Sequence, residues 1–202
     1  MVIYVKQRQK IKRLCECAML VALATVLSFV KLYEAPLGGA VTLFSMVPIL
    51  MCGFVYGVKA GFAAAFVYSI IQLILGIGTV AYVPDAAGVV ICVLLDYIVA
   101  FTVLGVAGFF KKLKTRLYTK VMLGTSVALL LRFLSHYIGG AWIWYQITKD
   151  GAWNDYVFKY GKWMYSLIYN AWYMVPEIAL CLVAVPVTVM LMKAVWGKTL
   201  ET

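Results

Sequence analysis

Charged residues are scarce in this chain of 202 residues: they make up 13% of the sequence, whereas hydrophobic residues make up 65%. A soluble domain carries about 25% charged residues. Intrinsic disorder, a collagen-like repeat and a secreted disulfide scaffold each require a composition that this chain lacks. The apolar segments also leave too little sequence for a large soluble catalytic domain. The scarcity of charge therefore indicates an integral membrane protein.

Metal-binding and nucleotide-binding motifs are also missing. The five cysteines include no CxxC pair, and Cys15 and Cys17 would lie about 200° apart around a helix. We therefore interpret the cysteines as packing residues and expect no metal site. Gly197-Lys198-Thr199 resembles the end of a phosphate-binding loop, but Met192 occupies the position of the first glycine. We expect the chain to have no ATPase site of its own.

Six apolar segments have about the length of a membrane-crossing helix, which needs about 20 residues. The predicted spans cover residues 14–30, 43–57, 60–77, 88–110, 121–144 and 163–192. These runs lack the alternation of a β-barrel, and open strands cannot cross lipid because their edge amides would have no partners. The sequence therefore predicts an all-α integral membrane protein, a six-transmembrane-helix bundle in which residues 1–202 form a single domain.

The distribution of basic residues predicts the orientation of this bundle. Clusters at residues 6–13 and 111–120, with Lys59, Lys193 and Lys198, fall on one side of the membrane. Because Lys and Arg stay on the cytoplasmic side, we expect both termini to be cytoplasmic in a multi-pass protein of the cell (plasma) membrane. We interpret the clusters as topology signals that contact anionic lipid, and expect no nucleic-acid partner. The first apolar run resembles a signal peptide, but five further spans follow, so we expect no cleavage.

Ionisable residues are few within the predicted spans, and such residues commonly mark functional sites in membrane proteins. They are Asp96, Arg132, His136 and Glu177. In the fifth span, Arg132, His136, Gly140 and Trp144 recur every four residues and therefore form one stripe on one helix face. A basic group, an imidazole and an indole are thus predicted to line the same surface.

The direction of each span places this stripe near polar residues of the fourth and sixth spans. At about 1.5 Å of rise per residue, Asp96, Tyr97, Tyr165 and Asn170 fall in the same outer half of the membrane. A carboxylate with aromatic faces suits a flat heterocycle that bears positive charge. The alternative is a structural or assembly protein with an Asp96–Arg132 ion pair and an interfacial belt of tryptophans.

Two outer loops are candidate lids for such a pocket. Residues 33–40 are punctuated by Pro and Gly, and residues 145–162 form a long segment rich in aromatic residues. Loops of this length without secondary structure often have a function. The alternative is that both are ordinary connectors.

Several motifs in order resemble the thiamine-specific S components, which are the substrate-binding membrane subunits of energy-coupling-factor (ECF) vitamin transporters. They are Ala18-Met-Leu-Val-Ala22, Pro36-Leu-Gly-Gly-Ala-Val-Thr, Ser45-Met-Val-Pro48, Asp96-Tyr97, Arg132-Phe-Leu-Ser-His136-Tyr-Ile-Gly-Gly140 and Tyr165-Ser-Leu-Ile-Tyr-Asn170. The resemblance implies a subunit that captures thiamine from outside and is not an enzyme. It also implies a transmembrane coupling subunit and two ATPase subunits as partners, and no cofactor.

The resemblance further implies a role for individual residues. It places substrate binding at Asp96, Tyr97, Arg132, His136, Gly140, Trp144, Tyr165 and Asn170, with Tyr33 and Trp153 as candidate ring-stacking residues. Ala18 and Ala22 would form the docking surface for the coupling subunit, although small residues at this spacing also permit close helix packing in general.

The chain departs from the family pattern at two ionisable positions and in both outer loops, where the first has Tyr33 and no tryptophan and the last is longer than in the family. The acidic position is often Glu in the family and is Asp96 here, and the basic position is often Lys and is Arg132 here. The first alternative is therefore an S component for another heterocyclic vitamin or a thiamine precursor. The second is a small membrane enzyme that uses His136, Arg132 and Asp96, although the chain has one histidine, no HExxH and no serine nucleophile motif.

Overall fold

The computed structural model describes residues 2–36, 38–151 and 155–200, which are mostly helical. The helices are α1 (Val2–Ser28), α2 (Val47–Tyr56), α3 (Val58–Leu75), α4 (Ile77–Val80), α5 (Ala86–Lys112), α6 (Leu117–Asp150), α7 (Tyr156–Lys159), α8 (Lys162–Val183) and α9 (Val185–Leu200). Two short strands, β1 (Lys31–Glu34) and β2 (Ala40–Thr42), lie between α1 and α2. The predicted helical character is confirmed, and the strands add an element that the sequence did not predict.

Four helices in the described part of the chain are long and apolar enough to cross a membrane: α3, α5, α6 and α8. Two further helical stretches, α2 and residues Val185–Gly197 of α9, are apolar but shorter. The ten residues of α2 extend about 15 Å, which is half of a bilayer core about 30 Å thick. The apolar helices indicate a membrane protein, and the count of six spans stays a prediction.

Helix α2 lies inside the bundle, where eight of its ten residues are buried. It packs closely against α3 and α5 at glycines. A Cβ atom on Gly53 of α2 would lie 2.7 Å from the backbone nitrogen of Gly108 in α5, and one on Gly61 of α3 would lie 2.9 Å from the Cα of Gly53. Small residues at such crossings let helix backbones approach. This packing holds α5, which carries Asp96, against α2 and α3.

The two strands form an antiparallel hairpin in which Lys31 pairs with Thr42 and Glu34 pairs with Ala40. The turn contains Gly38 and Gly39, both with φ of +87°, a conformation that favours glycine. The segment at residues 33–40 that was predicted as a loop is therefore part of a hairpin, although Leu37 lies outside the described residues.

Several predicted spans have different bounds in the structure. The first, predicted at residues 14–30, belongs to α1, which already begins at Val2. Helix α6 continues to Asp150, beyond the predicted end at residue 144, so the second outer loop starts later in the chain. The last predicted span, residues 163–192, consists of two helices that meet at Ala184. Pro186 follows this junction, and its ring nitrogen has no hydrogen with which to continue the helical ladder.

Candidate ligand-binding site

Two π-helical segments place the central residues of the site. Residues Val93–Val99 of α5 contain Asp96, and residues Gly140–Trp144 of α6 end at an indole. The hydroxyl of Ser135 in α6 donates a hydrogen bond to the carbonyl oxygen of Leu95 in α5, at 2.5 Å. Turns of π-helix are wider than α-helical turns and are frequent at functional sites. The contact between Ser135 and Leu95 joins the two helices beside Asp96.

The carboxylate of Asp96 contacts one ring on each of its two oxygens. Its Oδ1 lies 3.0 Å from Nδ1 of His136, and its Oδ2 accepts a hydrogen bond of 2.8 Å from Nε1 of Trp144. The side chains of Asp96 and His136 are only 11% and 10% exposed. Hydrogen bonds to an ionised group are stronger than neutral ones, particularly away from water. Both rings come from α6 and therefore fix the orientation of the carboxylate.

A cavity of about 270 Å³ adjoins this carboxylate. Its walls come from the ends of α1 and α3, from the hairpin, and from α5, α6 and α8. The volume is slightly below the range of about 300–1,000 Å³ that is typical of small-molecule sites. The predicted site residues that line the cavity are Asp96, Tyr97, Arg132, His136, Trp144 and Asn170.

Arg132 lines the cavity without pairing to Asp96. Its Nη1 lies 2.8 Å from the sulfur of Met46, and its guanidinium carbon lies 4.6 Å from the ring centre of Phe101. The ion pairs among the described residues do not include Asp96 with Arg132. The Nε of Arg132 is buried and has no hydrogen-bond partner within the described ranges. Met46 and Phe101 therefore hold the guanidinium of Arg132 in the wall of the cavity, without an ion pair to Asp96.

Gly140 and Tyr165 are buried but lie outside the cavity lining in the described part of the chain. A Cβ atom on Gly140 would lie 2.7 Å from Nδ2 of Asn170, so this glycine permits close contact between α6 and α8. The hydroxyl of Tyr165 lies 2.7 Å from Oγ1 of Thr148 near the end of α6. Both residues therefore support the wall of the cavity from behind.

The hairpin contributes polar residues to the cavity. Lys31 and Glu34 line it and form an ion pair of 2.6 Å with each other. Tyr33, a predicted stacking residue, is 41% exposed and is not among the lining residues of the described chain. Trp153, the second predicted stacking residue, lies outside the described residues.

Two residues of α8 that line the cavity, Tyr169 and Tyr173, were not predicted from the sequence. The hydroxyl of Tyr173 donates to Oδ1 of Asn170 at 2.6 Å, and its ring meets the ring of His136 edge to face at 6.0 Å. Nδ2 of Asn170 donates in turn to the backbone oxygen of His136 at 3.2 Å. Because Tyr169 and Tyr173 are four residues apart, the helical spacing that identified the stripe on α6 could have found them.

The site is chemically a carboxylate in an aromatic enclosure. Tyr97, Trp144, Tyr169 and Tyr173 supply ring surfaces around Asp96. Such an arrangement binds a flat ring by stacking and a cation by charge pairing and cation–π attraction. Among the residues that the structure describes, no three metal-ligating side chains lie close enough together to hold an ion.

Helix α1 presents the second predicted functional surface, which faces outward from the bundle. Ala18 and Ala22 are exposed on it, and the neighbouring Leu14 and Met19 are 71% and 63% exposed. The opposite side of α1 packs into the core through residues such as Ala24, which is fully buried. The exposed side is apolar and is therefore suited to lipid or to another membrane protein.

Comparison with known proteins identifies the family and the fold of this chain. The thiamine transporter protein family matches residues 14–195 of the chain. The thiamine transporter ThiT of Bacillus subtilis (strain 168) is 33% identical over 186 residues, and the alignment covers 87% of this chain and 88% of that protein. The solved structure of ThiT from Listeria monocytogenes shares the fold, with a TM-score of 0.67, 20% identity, and coverage of 95% of this chain and 98% of that one. The chain therefore belongs to the thiamine transporter protein family, and it is a membrane transport protein rather than an enzyme.

Proposed function

We propose that this protein binds thiamine in the cavity beside Asp96 and serves as the S component of an ECF importer. The observation that carries the proposal is the buried carboxylate of Asp96, oriented by His136 and Trp144 within aromatic walls. Thiamine joins an aminopyrimidine to a cationic thiazolium ring. The carboxylate offers an acceptor for the amino group and a negative charge that offsets the cation.

The aromatic side chains would hold the two rings of the ligand. Trp144, Tyr169 and Tyr173 line the cavity on the side of α6 and α8, and Tyr97 lines it on α5. Their faces stack on flat heterocycles and attract a cation. Asn170 is hydrogen-bonded to Tyr173 and to the backbone of His136, and it therefore adds an amide group that is held in place. Membership of the family and the name of the Bacillus subtilis relative support thiamine as the ligand.

The proposed topology places the cavity toward the outside of the cell. Six spans with both termini in the cytoplasm would put the basic clusters at residues 6–13 and 111–120 on the inner face of the plasma membrane. The whole chain would form one membrane domain. With this orientation the hairpin, and with it the cavity, lies near the outer surface, where the vitamin is captured.

Transport itself would require partner proteins. We propose that a transmembrane coupling subunit and two ATPase subunits assemble with this chain. The docking surface would lie at Ala18 and Ala22 on the exposed side of α1. Small residues at a spacing of four allow a second helix to approach closely. ATP hydrolysis by the partners would then drive release of thiamine to the cytoplasm.

Fluorescence titration of the purified protein tests the proposal. Thiamine at nanomolar concentrations is expected to quench tryptophan fluorescence, because Trp144 lines the cavity. A response to the pyrimidine moiety with none to thiamine would instead indicate an S component for a precursor. The absence of any response to thiamine, its phosphates and its pyrimidine moiety would contradict the proposal.

A pair of tryptophan variants provides the control for this titration. Trp144→Phe removes the indole that donates to Asp96 and is expected to lose most of the quenching and to weaken binding. Trp172→Phe removes an indole that is 67% exposed on α8 and is expected to retain both. Equal effects of the two substitutions would contradict the placement of thiamine beside Asp96.

A further inference from the structure

Three side chains of α8 contact the hairpin at successive points. The hydroxyl of Tyr169 donates to the carbonyl oxygen of Gly38 at 2.9 Å. The ring of Tyr173 packs on Gly39, since a Cβ atom there would lie 2.6 Å from it. The third side chain is that of Glu177, which contacts Thr42 at the end of β2. These three residues follow each other at intervals of four and therefore share one face of α8.

Glu177 makes the strongest of these contacts. Its Oε2 accepts a hydrogen bond from the backbone nitrogen of Thr42 at 2.6 Å, and its Oε1 accepts one from the Thr42 hydroxyl at 2.9 Å. The side chain is fully buried, and a buried carboxylate is costly unless its oxygens are hydrogen-bonded. The same hydroxyl of Thr42 lies 2.6 Å from that of Ser45. The carboxylate therefore secures both the backbone and the side chain at the end of β2.

The contact matters for the cavity because the hairpin forms one of its walls. Gly38, Gly39 and Thr42 all line the cavity, whereas Glu177 is not among the lining residues of the described chain. An isolated two-stranded hairpin is marginally stable in water. The position of this wall therefore depends on its attachment to α8.

We infer that Glu177 is a positioning residue that holds the hairpin in place as a wall of the cavity and thereby sets how long a bound ligand stays. This inference rests on the proposed function for the identity of the ligand, thiamine. Glu177 contributes through Thr42 and does not touch the ligand itself. Loss of the contact frees the end of β2, so that the wall opens more often and the ligand escapes faster.

The first test is the substitution Glu177→Gln, which keeps the size of the side chain. The amide oxygen can still accept from the backbone nitrogen of Thr42, but it lacks the negative charge that strengthens this bond. The NH₂ group can face the Thr42 hydroxyl only if that hydroxyl turns from donor to acceptor. Stopped-flow tryptophan fluorescence is expected to show a thiamine dissociation rate about tenfold higher or more, with the association rate changed less than about twofold. A dissociation rate equal to that of the natural protein would overturn the inference.

Glu16→Gln is the matched control for this variant. Glu16 on α1 also accepts a hydrogen bond from an N–H group, that of the Trp196 indole at 2.8 Å, but it is not among the cavity residues of the described chain. Its substitution is expected to leave the dissociation rate unchanged. If Glu16→Gln accelerates dissociation as much as Glu177→Gln, the effect reports general loosening of the bundle and the inference is wrong.

A double-mutant cycle with Thr42→Val tests whether Glu177 acts through Thr42. Thr42→Val removes the hydroxyl contact, so Glu177→Gln is expected to raise the dissociation rate by a smaller factor in the Thr42→Val background than alone. Equal factors in both backgrounds would mean that Glu177 acts independently of Thr42, which contradicts the inference.

A measurement without ligand separates this inference from the proposed function. Lys31 in β1 is exposed and is a site for trypsin, and cleavage within a structured hairpin requires local opening. Glu177→Gln is expected to speed cleavage after Lys31 severalfold, and Glu16→Gln to leave it unchanged. If the natural protein does not bind thiamine, the proposed function fails, and unchanged proteolysis of Glu177→Gln then refutes the attachment of the hairpin separately.

Discussion

The carboxylate of Asp96 keeps acceptor capacity after its contacts with the protein. Both of its ring partners, His136 and Trp144, belong to α6, and each contacts a different oxygen. The thiol of Cys92 also contacts Oδ2, at 3.7 Å. Because an ionised carboxylate has about four lone-pair sites, about one acceptor site remains after these three contacts. The cavity lies beside this carboxylate. Asp96 can therefore accept a hydrogen bond from a ligand without giving up the contacts that orient it.

Asp96→Asn tests this role at constant side-chain size. The substitution removes the charge and one acceptor oxygen, and we expect the Kd for thiamine to rise about 10- to 150-fold, since a hydrogen bond to a charged group contributes about 1.5–3 kcal/mol. Isothermal titration calorimetry measures the change. Asp150→Asn is the control, because Asp150 contacts Gln146 at the end of α6 and is not among the cavity residues described. Natural affinity in Asp96→Asn would rule out the proposed role.

Some residues of this site follow from helical spacing, and others do not. Arg132, His136 and Trp144 share a stripe and do line the cavity. Tyr165 and Asn170 were also predicted together, but residues five positions apart point about 140° away from each other on a helix. Asn170 accordingly lines the cavity, whereas Tyr165 points to Thr148. Tyr165 and Asn170 lie at a similar depth in the membrane, but their side chains point in different directions around the helix, and depth alone does not reveal this difference.

At the scale of elements, the π-helical segments and the hairpin could not be read from the sequence. A π-helical segment has the same composition as the α-helix around it, and here it depends on contacts between helices such as that of Ser135 with Leu95. The strands have four and three residues, which is too short for a clear alternation of apolar and polar side chains. Pro36, Gly38 and Gly39 therefore indicated a loop between two spans without indicating the strands that form part of it.

Ser135→Ala tests whether the contact with Leu95 supports the π-helical segment of α5. We expect the free energy of unfolding to fall by about 1 kcal/mol, because a buried carbonyl loses its partner, and the Kd for thiamine to rise about fivefold as Asp96 shifts. Thermal unfolding and calorimetry measure the two effects. Ser126→Ala is the control, since the Ser126 hydroxyl bonds within its own helix, to the carbonyl of Met122.

Rescue by a conservative variant shows whether the hydroxyl is responsible. Ser135→Thr keeps the donor and is expected to recover most of the affinity lost in Ser135→Ala. If Ser135→Ala binds thiamine as tightly as the natural protein, the contact with Leu95 has no influence on the carboxylate.

Gly39→Ala tests the fit of the hairpin against α8. The left-handed backbone at Gly39 costs a residue with a side chain about 1–2 kcal/mol, and the added methyl group would lie 2.6 Å from the ring of Tyr173. We expect a lower thermal stability and weaker thiamine binding, measured by unfolding and titration. Gly161→Ala is the control, because Gly161 has φ of −66° and a Cβ atom there would contact nothing within 4 Å. Equal behaviour of the two variants would contradict tight packing of the hairpin.

At the scale of the whole molecule, hydropathy predicted where the apolar helices lie but did not distinguish helices that cross the membrane from helices buried in the bundle. The third, fourth, fifth and sixth predicted spans overlap helices that are long and apolar enough to cross a membrane. Helix α2 is equally apolar because it is buried among the others, and its ten residues are short for a span. Hydropathy cannot distinguish burial in protein from burial in lipid, since both environments select apolar side chains.

The same ambiguity applies to the exposed side of α1, and substitution of its two alanines resolves it. Ala18→Leu combined with Ala22→Leu is expected to abolish thiamine uptake by cells that also contain the coupling subunit and the ATPases. The added side chains would keep a partner helix from approaching closely. Both alanines face away from the core, so thiamine binding by the purified protein is expected to stay within about twofold of the natural value.

A matched substitution on another helix separates docking from effects of bulk in the membrane. Ala63→Leu enlarges an exposed alanine on α3 and is expected to leave both uptake and binding intact, since apolar side chains are equally accommodated by lipid. Uptake that persists in the Ala18→Leu, Ala22→Leu variant would mean that this side of α1 faces lipid. Loss of binding in the same variant would mean that the alanines support the fold, because a docking surface acts on transport and leaves capture of the vitamin unchanged.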